Sequence, residues 1–156
     1  MTDVLREMML GTVAGAVGTV ALNAATYADI AVRARPPSSV PAEVAGKLAE
    51  KAGVRLGSDA TEQNRKSGLG ALSGYVVGRG VGTSYGLVRP LLGNVSKTRA
   101  GFVLGLAAMA GSDVPATALG VSNPTTMGVD SWISDIVPHL AYGLMAAVVY
   151  DAFSSL

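Results

Sequence analysis

Arg79, Asp113 and His139 are the residues whose chemistry stands out, because each falls within a stretch otherwise poor in charge. An arginine in apolar surroundings needs a counter-ion, an aspartate can supply one, and a histidine titrates near neutrality. Counted at about 1.5 Å per residue from one common end, Arg79 lies about 18 Å deep, and Asp113 and His139 about 10 Å. The long arginine stem covers that difference. The three are expected to meet inside a helical bundle, with Asn23 and Ser112 beside them. Two kinds of chemistry fit such a cluster. One is a proton or ion path; the plainer one is a buried salt bridge that fixes helix register. Asp29 and Asp135 lie nearer the ends of their stretches and are expected to pair with Arg33, Arg35 or loop residues.

Other chemistry is poorly represented. Cysteine is absent, so disulfides and thiolate metal sites are excluded. A single histidine argues against a His-rich metal centre, and no metal or cofactor is expected. No paired carboxylates stand near a nucleophile in the sequence, which argues against an enzyme. The net charge of +1 has no recurring basic face, so nucleic acid is not an expected partner.

The elements that position the cluster are apolar helices. Hydrophobic residues make up 49% of the 156 residues and charged ones only 15%, against about 25% in soluble domains. Glycines stand at Gly70, Gly74, Gly78, Gly82 and Gly86, each four residues after the last. On a helix that spacing makes a stripe without side chains, poor in water but suited to close backbone contact in lipid. A phosphate-binding loop is disfavoured, because Gly78-Arg-Gly80-Val-Gly82 lacks a strand–turn–helix setting. Gly11 and Gly15 repeat the spacing in an uncharged run from Met8 to Ala28, long enough to cross a bilayer of about 30 Å. Reading that run as a cleaved signal peptide is disfavoured by Asp3 and Glu7 in the lead.

The chain is therefore expected to be all-α, a single membrane domain with four transmembrane helices near 8–30, 67–88, 100–120 and 132–152. A short amphipathic helix near 41–52, with Gly53 as its stop, is expected on the bilayer surface or the bundle's end. Residues 53–66 read as a polar connection, Pro115 as a break in the third span, and Asp130 or Ser131 as the cap of the last. Gly11-x-x-x-Gly15 with Asn23 matches Gly101-x-x-x-Gly105 with Asp113 at the same offset, so two two-helix halves are possible. Lysine and arginine concentrate in the first loop, which the positive-inside rule places in the cytoplasm.

Two groups of residues also carry a family likeness. Arg33-x-Arg-Pro-Pro-x-x-x-Pro41 follows the first span, and His139-x-x-x-Gly143 with Tyr150 lies in the last. With Ala14-Gly15 they resemble the small YagU-type inner-membrane proteins and their actinobacterial relatives. The resemblance implies a bacterial inner-membrane protein of four helices and brings no catalytic residues with it. On this reading the chain is a structural or accessory membrane component, packing through glycine-zipper faces into a homo-oligomer or a larger membrane complex. The alternative is a proton or small-solute permeation protein built on Arg79, Asp113 and His139.

Overall fold

The computed structural model describes residues 2–155. They form five α-helices and, among the described residues, no strand. The helices are α1 (Thr2–Arg33), α2 (Val40–Lys51), α3 (Asp59–Val88), α4 (Lys97–Ala118) and α5 (Val129–Ser154). Single 3₁₀ turns at Arg89–Leu91 and Pro124–Thr126 lead out of α3 and into α5. Helices α1, α4 and α5 are long and apolar enough to cross a membrane. Helix α3 is 30 residues long, but its glycines and charged residues keep it out of that group.

Helix α1 lies between α3 and α5, α4 packs on α5, and α2 lies along the first half of α3. Glycine makes the first contact possible. A Cβ on Gly11 would run into the Gly82 carbonyl, one on Gly15 into that of Gly78, and one on Gly86 into that of Glu7. The two helices thus run antiparallel with backbone against backbone, the arrangement that small residues permit. Helices α4 and α5 do the same. A Cβ on Gly143 would meet Gly101 and Gly105, and one on Gly105 would come within 2.8 Å of the His139 carbonyl.

The core left by such close helices holds alanine and tyrosine. Ala14, Ala100, Ala108, Ala146 and Ala147 are buried with Leu104, Tyr85, Tyr142 and Tyr150. Tyr142 is fully buried and fills the junction of three helices. Its ring lies against Gly18 of α1, and its hydroxyl donates to the Gly78 carbonyl of α3 at 2.6 Å. A buried tyrosine needs such a partner for its O–H. At the far end Tyr85 and Tyr150 stack edge to face at 5.0 Å, and Tyr150 donates to the Glu7 carboxylate.

Several sequence expectations change here. The glycine stripe is not one face. Gly78, Gly82 and Gly86 meet α1, Gly70 meets Pro41 at the start of α2, and Gly74 faces open space. Successive positions four apart turn by about 40° around a helix, so a long stripe must leave a straight partner. Helix α3 begins eight residues before the expected Ser67, with Lys66 and Glu62 paired at 2.5 Å in its polar first turns. Pro115 does not break α4, which continues to Ala118. The cap of α5 is Gly128, and Asp130 lies in the first turn instead. Gly53, at φ +69°, ends α2 as expected.

The contact makes a direct prediction. A methyl on Gly82 would sit 2.7 Å from Gly15 Cα, while one on Gly80 would meet nothing within 4 Å. Gly82→Ala should cost about 1–3 kcal/mol through overpacking. Gly80→Ala should be neutral or stabilising, since alanine is the better helix former. Thermal unfolding in detergent micelles reads both; equal midpoints for the two variants would contradict the packing.

Candidate functional site

Two polar clusters meet at the end of the bundle that carries α2. The first is formed locally by α1 and the start of α5. The Asp29 carboxylate accepts from Arg35 at 2.5 Å, from Arg33 at 3.3 Å and from the Ser134 hydroxyl at 3.1 Å. Arg33 also donates to Ser134 at 2.9 Å and pairs with Asp130 at 3.1 Å. Asp29 and Arg33 are one turn apart on α1, a spacing that brings side chains together. Asp29, Arg33 and Arg35 therefore pair as the sequence suggested, and they tie α1 to α5.

The second cluster lies between α4 and α5. Asp135 and His139 are one turn apart on α5, and the imidazole Nδ1 sits 3.1 Å from Asp135 Oδ1 and 2.8 Å from the Asp135 carbonyl. The other ring nitrogen, Nε2, is 3.4 Å from Ser112 Oγ on α4. Asp113 faces the Asp135 carboxyl and the imidazole. The side chain of His139 is only 13% exposed, and Asp135 Oδ2 is buried with no hydrogen-bond partner among the described residues. Pro138 adds to this polarity, since it has no N–H to offer the Ser134 carbonyl.

The structure thus joins Asp113 to His139 and Ser112 and leaves two expected members out. Arg79 lies on an exposed part of α3 and makes no ion pair among the described residues. Asn23 bonds to the Tyr75 hydroxyl at 3.4 Å instead. Depth along a helix was right to compare, but it says nothing of the direction a residue takes around the axis. Asp135 is the member that sequence reasoning placed elsewhere, with the arginines. The signal was present: Asp135 and His139 stand four apart, the spacing of neighbours on one helix face.

The order Ser112–His139–Asp135, hydroxyl on one ring nitrogen and carboxylate on the other, invites comparison with a nucleophilic triad. Two features argue against that use. The Ser112 hydroxyl turns back onto the Met109 carbonyl of its own helix at 2.9 Å. The backbone N–H groups around it belong to the interior of α4, where helix bonding leaves none free to stabilise an oxyanion. What the cluster offers is a place for one positive charge, on His139 or on a shared proton, between two carboxyl groups. A cleft at this end, about 600 Å³, is lined by Glu43, Lys47, Arg55, Glu62 and Lys66 among others, and not by His139, Asp113 or Asp135.

The chain matches no family model, no curated protein and no solved structure.

The facing carboxyls yield a prediction. Asp113→Asn removes a like charge and brings a donor to the Asp135 carboxyl, so it should stabilise the fold. Asp135→Ala strips His139 of its partner and should destabilise by about 1–3 kcal/mol. Unfolding midpoints in micelles test both; loss of stability in Asp113→Asn would show that the two carboxyls do not oppose each other.

Proposed function

We propose that this chain is a four-span membrane protein with a structural or accessory role in a larger membrane assembly. The fourth span is α3. The support is register: α3 residues 78–86 lie backbone to backbone against Glu7 to Gly15 of α1, within and beside its uncharged run. A helix held at that height beside a membrane-crossing partner crosses with it. Glycine supplies the contact that apolar side chains alone would not, because lipid gives no hydrophobic drive between helices. The first loop, with its lysines and arginines, faces the cytoplasm of a bacterial inner membrane.

One observation carries the structural role over conduction: Tyr142 is wholly buried at the junction of α1, α3 and α5, so the middle of the bundle is filled. The glycine-zipper faces at Gly11, Gly15, Gly78, Gly82 and Gly86 are already used within the chain, so assembly with other proteins draws on the outer faces. Permeation of protons or a small solute is the second reading. It draws on Asp135 Oδ2, which is buried beside His139 with no hydrogen-bond partner among the described residues.

The absence of native cysteine allows a clean test. In intact membranes, Val76→Cys in α3 and Val17→Cys in α1 should both resist a water-soluble maleimide, while Glu50→Cys in α2 reacts. Reaction of Val76→Cys as fast as Glu50→Cys would remove the fourth span. Vesicles holding the purified chain should show no pH-driven proton flux above empty vesicles; flux abolished by His139→Leu would favour permeation.

A further inference from the structure

We infer that the outer face of α3 around Arg79 docks a transmembrane helix of another protein, one carrying an aspartate or glutamate near the middle of its span. The inference rests on α3 being a span, and it names the chemistry of the partner that the accessory role requires.

Register sets the depth of Arg79. A Cβ built on Gly15 lies 3.2 Å from Arg79 Cα, so the arginine stands beside a residue well inside the uncharged run of α1. An arginine at such a depth is tolerated where it faces protein, water or a paired charge. Among the described residues no paired charge meets this one. It is exposed, and no carboxylate of those residues pairs with it; Tyr75, one turn before it, is engaged with Asn23, and the hydroxyl of Thr83, one turn after it, donates to its carbonyl. The surface around it is apolar and exposed, with Leu72 at 61% and Val76 at 72%. Gly80, the next residue, has open space beyond it, so another backbone can come close.

Charge complementarity selects the occupant. The missing element is a negatively charged hydrogen-bond acceptor, held at the same depth. A second copy of this chain does not supply it. Residues 8–28, 67–88, 100–112 and 136–150 contain no aspartate or glutamate. Asp113 and Asp135 lie nearer one end and are engaged with His139. Two copies meeting through this face would bring arginine to arginine. The partner is therefore a different protein, and the face combines one charge for specificity with small and aliphatic residues for contact.

Synthetic spans can stand in for the partner. The purified full chain, reconstituted in phosphatidylcholine vesicles, is mixed with a leucine–alanine transmembrane peptide bearing one central glutamate, or with the same peptide bearing glutamine. Energy transfer between labels reports association. The glutamate peptide should associate about tenfold more tightly than the glutamine peptide, in line with interhelical polar contacts in membranes. Arg79→Leu should erase the difference, and Arg79→Glu should reverse it toward a peptide with a central lysine. Equal association of the glutamate and glutamine peptides with the unmodified chain would overturn the inference. The Val76→Cys labelling separates the two failures. If that site is shielded while the peptides tie, the docking inference fails alone; if it reacts from water, the four-span reading has failed beneath it.

Discussion

The fold depends on the approach of two backbones. Where Gly11 and Gly15 of α1 face Gly78 and Gly82 of α3, no side chain separates the helices. Between apolar helices in lipid, dispersion contact and polar bonds are the available attractions, and both fall off steeply with distance. Closeness here also sets the position of the hydroxyls between the helices. Thr12 of α1 meets Thr83 of α3 at 2.7 Å, and Tyr142 reaches the Gly78 carbonyl from α5. The two threonines also bond the Met8 and Arg79 carbonyls of their own helices, so a wider spacing would cost most at Tyr142, whose buried hydroxyl would lose its acceptor.

The same logic explains where polarity is allowed. The α4–α5 contact through Gly101, Gly105 and Gly143 draws Ser112 and Asp113 toward Asp135 and His139. The neighbouring arginine–aspartate cluster then joins α1 to α5 at that same end. At the opposite end Glu7, Tyr150 and Tyr85 play the corresponding part, with Lys97 and Asp151 paired at 2.8 Å outside them. Polar bonds thus fasten both ends of a bundle whose middle is glycine, alanine and one buried tyrosine. Arg79 is the exception in the middle, and its position on the outside of α3 makes it a feature of the surface rather than of the core.

Much of this was legible in the letters. Five helices and their order follow from the apolar runs and their proline- and glycine-rich breaks, and the glycine spacing announced close helix contact. The start of α3 was not legible, because hydropathy reports where a helix is apolar and not where helical geometry begins. Pro115 misled for a related reason: a proline deprives a helix of one bond, which a packed helix tolerates. The Arg79–Asp113 pairing failed because depth is one coordinate and direction around the axis another. Gly78 points inward at α1 and Tyr142, and the next residue turns about 100° away from it. The Asp135–His139 pair needed no tertiary knowledge, since their spacing alone puts them side by side.

Backbone hydrogen exchange of the chain in lipid nanodiscs tests the central claim most directly. If α3 is held against α1 by backbone contact within the bilayer, amides of residues 70–86 should exchange as slowly as those of residues 11–22, and far more slowly than those of α2. Exchange of residues 70–86 at the rate of α2 would contradict the account.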